Sequence, residues 1–242
     1  MELSRRDLIC RLIGAGVAVA ASSMRAPMLV CTADQPAPIG VSSASEGVLF
    51  SRLSRTAKHG LSLANHSDHV RHCRRDLDEL SEISNELAAL ADSSCASHDC
   101  LTANYARLAR RIVCHDLYLG ALGAETDGEN NSPTEILRRF GDFDAYVGDI
   151  LKRAEGSACW VFTVIDYCDG DIKNIATNND GLAVEDTAPI FAIDLCEHAY
   201  FGDFGNDRSA YVRAALASTD WSIVARRYAI VNEQLKASRY RA

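Results

Sequence analysis

Two long stretches of this 242-residue chain carry apolar side chains at helical spacing. The first runs from Ser62 to Leu90, where apolar residues recur every three or four positions, the spacing of one helix face. The second runs from about Leu101 to Leu122 with the same period. Only a polar break at 92–99 separates them, so the pattern predicts a helical hairpin.

The pattern changes beyond the polar segment 125–133, which is the expected domain boundary. Shorter periodic and strand-like runs follow, with turn signals at 169–170 and 179–181. The predicted helices are Pro133–Phe140, Phe143–Glu155, Ser209–Ala217 and Ser222–Leu235, and the predicted strands are Trp160–Asp166, Ile172–Ala176 and Ile190–Leu195. The sequence therefore predicts an α+β fold: an N-terminal long helical hairpin, then an α/β domain with a small, about three-stranded antiparallel sheet flanked by helices.

The first residues have the composition of an export signal. Arg5 and Arg6 precede a weakly apolar stretch, 8–21, and small residues follow it, which is typical of a twin-arginine (Tat) signal peptide. We therefore expect a periplasmic or secreted protein. The predicted division is a signal peptide at 1–33, a flexible lead-in at 34–57, a helical-hairpin domain at 58–124 and an α+β metal-binding domain at 132–242.

Charge and composition exclude some partners. The formal net charge is −8, which makes nucleic acid an improbable partner, and no apolar run approaches the ~18 residues that a membrane span needs. The chain has nine cysteines, of which seven follow the predicted signal. Disulfides are permitted in an oxidising compartment, but the absence of a C-x-x-C motif argues against a zinc ribbon or a thioredoxin-type centre.

The stretch from Asp194 to Phe201 carries the most specific chemistry. Asp194 and His198 are four residues apart and can reach one metal ion, although either residue alone has ordinary structural explanations. The signal strengthens with the residues that follow: Asp203-Phe204-Gly205-Asn206-Asp207-Arg208, Tyr211 and Asp220-Trp221. Together they resemble the C-terminal signature of the iron/manganese superoxide dismutases.

The resemblance implies one Fe or Mn ion, held by three histidines and one aspartate. Asp194 and His198 match two ligands, and His115 matches a third within the frame Ile112–Leu119. The first helix supplies the fourth ligand, which the family places seven residues after a serine; Ser62 then indicates His69, with His72 and His66 as the alternatives.

The resemblance also implies an activity and a partner. The substrate would be superoxide, converted to O2 and H2O2, and Glu197 would reach a ligand histidine of a second subunit, which predicts a homodimer through Glu197 and His198. Arg208 is a candidate for attracting the anionic substrate. Trp160 matches an apolar cage around the metal if one residue is inserted before it; otherwise Cys159 takes that position.

Several positions depart from the family pattern. Cys73 and Leu77 replace a histidine and a gateway tyrosine, and Phe201 replaces the tyrosine expected to pair with that histidine across the dimer. Arg111 and Asn179 occupy the two positions that can supply a glutamine next to the metal. Since a lost proton donor costs about 10²–10⁴-fold in its step, we expect metal binding to survive better than fast turnover.

Two rival functions follow from these departures. One is a metal-binding protein of this fold with little or no dismutase activity. The other is a metal-centred oxidoreductase that uses the thiol of Cys73 or Cys196, which would require a lowered thiol pKa.

Overall fold

A computed structural model describes residues 59–89, 96–123, 133–156, 159–178 and 186–239. The predicted signal peptide, the lead-in, most of the polar linker and Asn179 lie outside these ranges. The helices are α1 Leu63–Ala89, α2 Ala96–Leu119, α3 Thr134–Phe140, α4 Phe143–Gly156, α5 Glu197–Phe204, α6 Arg208–Ala217 and α7 Trp221–Arg239, and the strands are β1 Trp160–Asp166, β2 Ile172–Thr177 and β3 Thr187–Asp194. The predicted fold class, a helical hairpin followed by a three-stranded antiparallel sheet flanked by helices, is confirmed.

The hairpin of α1 and α2 is held by the apolar stripes that predicted it. Its own buried cluster consists of Leu80, Ile83, Leu108, Ala109 and Ile112. The start of α1 is fixed by Ser62, whose hydroxyl accepts a hydrogen bond from the Asn65 backbone N–H at 3.1 Å. Across the described ranges, no helix combines the length and apolar character needed to cross a membrane.

The sheet has the order β2-β1-β3, with both pairings antiparallel. The central strand β1 is buried along almost its whole length, whereas the edge strand β2 alternates between buried and more exposed positions. Gly170, at φ 78°, closes the turn between them in a backbone conformation that favours glycine. On the β3 side the register shifts between Thr163 and Val164, so Ile190 has no Cα partner on β1.

Helix α5 was not among the helices predicted from the sequence. It begins three residues after the end of β3 and ends at Phe204, with Gly205 as its C-cap. Two contacts fix it against the start of α1: the Asn65 side chain donates to the Ala199 carbonyl at 2.7 Å, and the Ser62 backbone N–H donates to Asp203 at 2.7 Å. These contacts hold α5, which directly follows the end of β3, against the start of α1.

Arg227 of α7 joins two other elements, the C-terminal end of α2 and strand β3. Its guanidinium lies 2.8 Å from the Leu117 carbonyl and 3.3 Å from the Asp116 carbonyl, both in the last turn of α2. The Asp116 carbonyl also accepts from the Gly120 backbone N–H at 2.9 Å. It also lies 3.3 Å from the carbonyl of Ile190, the bulged residue of β3. The guanidinium of Arg227 thus stabilises both the end of α2 and the irregularity in β3.

Replacing Arg227 with methionine should lower the free energy of unfolding by about 2–3 kcal/mol, because it leaves these carbonyls without a charged donor. Chemical denaturation of the purified protein measures this. The neighbouring Arg226 is exposed, and Arg226→Met should cost less than about 0.5 kcal/mol. Equal losses for the two variants would contradict the role of Arg227.

Candidate metal centre

Four side chains from four elements converge on one point. His69 lies on α1, His115 near the end of α2, Asp194 at the end of β3 and His198 in the first turn of α5. Oδ2 of Asp194 lies 3.2 Å from Nε2 of His69, 3.4 Å from Nε2 of His115 and 3.1 Å from Nε2 of His198. The four potential ligand atoms all lie within 4.8 Å of one another. These are the four residues that the sequence assigned to a metal.

The convergence leaves buried polar atoms without hydrogen bonds. Nε2 of His69, Nε2 of His115 and Oδ2 of Asp194 are buried and make none. Such atoms are costly unless something satisfies them, and a cation at their meeting point would satisfy all of them at once. Three imidazole nitrogens and one carboxylate oxygen form a donor set suited to Fe, Mn or zinc, so the residues present fit a metal ion.

Protonation states favour the same interpretation. Burial lowers the pKa of His69 to about 4, so its imidazole is neutral at pH 7. Burial opposes ionisation of Asp194, yet His115, His198 and His69 together hold the pKa of this carboxyl well below its ordinary value. Neutral imidazoles and an ionised carboxylate are the forms that bind metals.

The structure distinguishes the three histidines of α1 that the sequence left as candidates. His69 is at the convergence point, as assigned. His72 lies farther out, with its ring 4.7 Å from that of His198 and 5.9 Å from that of His115. His66 is buried, and burial lowers its pKa to about 4 despite the charge of Asp203 in the last turn of α5.

The centre is closed on one side and open on the other. The ring of Trp160 is buried and lies edge-on to that of His115, with 5.3 Å between the ring centroids. Trp160 is therefore the residue that lies against the four ligands. His198, by contrast, is 34% exposed. His72 is partly exposed beside it, and its Nδ1 lies 3.1 Å from the guanidinium of Arg75. Because a guanidinium only donates, Nδ1 accepts and Nε2 carries the hydrogen of the neutral ring.

The other residues proposed for catalysis are Arg111, Arg208, Glu197 and Asn179. Arg111 makes a two-point ion pair with Asp76 of α1. The guanidinium of Arg208 lies 5.5 Å from the ring centroid of Tyr200 and 3.3 Å from the Ala154 carbonyl. Glu197 is exposed in the first turn of α5, next to His198. Asn179 lies outside the described residues.

Two departures from the family pattern lie on α1. Leu77 packs on the apolar cluster between α1 and α2. Burial, with the charges of Asp76 and Asp194, strongly raises the pKa of Cys73, so this thiol stays protonated. A protonated thiol is a poor nucleophile, which argues against the thiol-dependent chemistry considered for Cys73.

Two tyrosines next to the centre were not assigned a role from the sequence. The buried Tyr211 hydroxyl donates to the Asp194 carbonyl at 2.6 Å and lies 3.0 Å from the Tyr118 hydroxyl. The Tyr118 ring lies 5.6 Å from that of His69. Burial raises the pKa of both phenols, so they remain protonated. Tyr211 stands in the sequence signature, but its spacing does not show which atom it contacts.

The second half of the chain is similar to known proteins. Residues 129–227 match the family model for the C-terminal domain of iron/manganese superoxide dismutases, a range that includes Asp194 and His198. Manganese superoxide dismutases 1 and 2 of Haloferax volcanii are each 29% identical over 119 residues, covering 48% of this chain and 60% of the relative. The iron superoxide dismutase of Cupriavidus metallidurans is 26% identical over 121 residues, covering 49% of this chain and 61% of the relative. The matched region thus spans about 60% of the length of these relatives.

Proposed function

We propose that this protein is an Fe- or Mn-dependent superoxide dismutase, which converts superoxide to O2 and H2O2. The observation that carries the proposal is the convergence of His69, His115 and His198 on one oxygen of Asp194, with buried donor atoms that make no hydrogen bonds. The similarity of residues 129–227 to iron and manganese superoxide dismutases supports the choice of a redox metal over zinc.

The side chains around the centre have separable tasks. The three histidines and Asp194 would hold the ion, and a redox-active Fe or Mn bound there supplies the electron exchange, oxidising one superoxide and reducing the next. Trp160 keeps water away from His115, while the partly exposed pair of His198 and His72 marks the side open to a small anion.

Proton supply is the weak point of the proposed reaction. Forming H2O2 from superoxide consumes two protons, and a positioned donor contributes about 10²–10⁴-fold to such a step. Leu77 has no hydroxyl, and burial holds the proton on the thiol of Cys73. This observation favours the second candidate function, a metal-binding protein of this fold with little or no dismutase activity.

Direct measurement of superoxide decay with Fe-loaded and Mn-loaded protein separates the two functions. For a dismutase with a deficient relay, the double change Leu77→Tyr and Cys73→His should increase the decay rate by about 10²-fold or more. Leu87 packs on the same apolar cluster, and Leu87→Tyr should give no increase. Full metal content with superoxide decay no faster than the spontaneous rate, in both the wild type and the double variant, would leave metal binding as the function and refute the dismutase.

We also propose a homodimer through the face of α5 formed by Glu197, His198 and Phe201. In the single chain this face exposes a proposed metal ligand and the largely uncovered ring of Phe201, which is 55% exposed. A second copy over this face would cover both, and apolar exposure of this kind is typical of contact surfaces.

Phe201→Glu should convert the dimer to a monomer, because it places a charge in the proposed interface. Sedimentation equilibrium gives the mass of each species. Tyr167 is also a partly exposed aromatic residue but lies in the β1–β2 turn, and Tyr167→Glu should leave the dimer intact. A monomeric wild type, or a dimeric Phe201→Glu protein, would refute this interface.

For the N-terminal segment we propose Tat export to the periplasm or medium. Replacing Arg5 and Arg6 with lysine should retain the protein in the cytoplasm at its full-length mass. Unchanged export of the variant would rule out the twin-arginine route.

A further inference from the structure

Asp194 is held at two points besides its contacts with the histidines. Its Oδ1 accepts a hydrogen bond from the Cys196 backbone N–H at 2.8 Å, and its main-chain carbonyl accepts from the Tyr211 hydroxyl at 2.6 Å. Both Asp194 and Tyr211 are fully buried. With these two points fixed, Oδ2 is the oxygen left to face the three imidazoles.

The direction of the hydrogen bonds can be deduced from the donors available. A hydroxyl carries one hydrogen and a carbonyl carries none, so the hydrogen of Tyr211 points to Asp194. In the 3.0 Å contact between the two hydroxyls, Tyr118 is then the donor and Tyr211 the acceptor. Tyr118 lies three residues after His115 on α2, and its ring is 5.6 Å from His69. The two hydroxyls therefore connect α2 and β3, which carry two of the four ligands, and the ring of Tyr118 lies beside a third.

We propose that Tyr118 and Tyr211 form a positioning pair that acts on the metal centre through the main chain of Asp194. Metal–ligand distances tolerate errors of only about 0.2 Å, so a small rotation at Asp194 would displace Oδ2 from its place among the histidines. The pair resists that rotation from a buried position without contacting the ion. This role rests on the metal binding of the proposed function and does not depend on dismutation.

Removing the Tyr211 hydroxyl should weaken metal retention. Tyr211→Phe should release the metal about 10–100-fold faster, the range typical of partners that orient metal ligands. Tyr118→Phe keeps the bond from Tyr211 to Asp194 and should have a smaller effect in the same direction. Because Tyr118 acts through Tyr211, the double variant should release metal as fast as Tyr211→Phe alone.

Tyr146→Phe is the matched control. Tyr146 is equally buried, and its hydroxyl lies 2.7 Å from that of Thr163 rather than against Asp194. The variants are compared by metal release to a chelator and by the visible absorption band of the Fe³⁺-loaded protein, which reports on the ligands. Thermal melting identifies variants that merely unfold.

The proposal predicts faster release and a shifted band for Tyr211→Phe, with neither in Tyr146→Phe. Identical behaviour of these two folded variants would overturn it. If Tyr211→Phe does not fold, Tyr118→Phe becomes the test. An unchanged metal-release rate and absorption band in that variant would overturn the positioning role of the pair. A wild-type protein that retains no Fe or Mn would instead overturn the proposed function, and the role of this pair with it.

Discussion

Alanine at His69 should abolish retention of Fe or Mn, with a loss of affinity greater than about 100-fold, beyond the effect expected for residues that only orient ligands. The reason is geometric: Nε2 of His69 is one of the buried atoms facing Oδ2 of Asp194, at 3.2 Å. Metal content after dialysis against a chelator, measured by elemental analysis, gives the result. Circular dichroism verifies that the apo variant is folded.

His72→Ala provides the control within the same helix. His72 lies one turn farther along α1 than His69, and its contacts are to the rings of His198 and His115 and to Arg75. We expect this variant to keep nearly all its metal. If His72→Ala loses the ion and His69→Ala keeps it, the first-helix ligand is misassigned and the centre lies nearer the surface.

The second large effect should come from Arg111. Arg111→Gln should lower the free energy of unfolding by about 3–5 kcal/mol, because it leaves Asp76 charged and without its partner in the hairpin. The side chains of Asp76 and Arg111 are only 3% and 17% exposed. Denaturant unfolding of the metal-free protein measures the loss without interference from metal binding.

A double-mutant cycle tests the pairing directly. Asp76→Asn combined with Arg111→Gln should cost clearly less than the sum of the single changes, because neither variant side chain carries a charge. Asp68 and Arg71 form an exposed pair on the same helix, 64% and 68% exposed, and Arg71→Gln should cost less than about 1 kcal/mol. Additive losses at Asp76 and Arg111 would show that the two residues act separately.

The elements with strong periodicity were predictable from the sequence. The leucines and isoleucines of α1 repeat at helical spacing, and Trp160–Asp166 has the observed bounds of β1. Helix α5 was missed because its eight residues are too few for a helical period to be apparent. The α1 histidines at positions 66, 69 and 72 share a spacing of three, so periodicity alone did not separate them, and the family resemblance indicated His69.

Contacts between residues that are far apart in the chain could not be predicted from the sequence. Asp76 and Arg111 are 35 residues apart, and nothing in their spacing identifies them as partners. The Tyr211 hydroxyl could have bound any of several acceptors, and its bond to the Asp194 carbonyl depends on where the fold places α6 relative to the end of β3. Arg227 likewise meets the carbonyl of Ile190 at the register shift of β3, an irregularity that the strand pattern did not reveal.

The wide separation of the four ligands along the chain has a consequence for how the ion is acquired. During synthesis the ribosome releases His69 and His115 well before Asp194 and His198 exist, so the hairpin alone presents only two donors. A complete site therefore forms only late in synthesis, when β3 and α5 have joined the hairpin. If the chain is exported after folding, the metal would be selected from the cytoplasmic supply, and the ions outside the cell would have little influence on which one it carries.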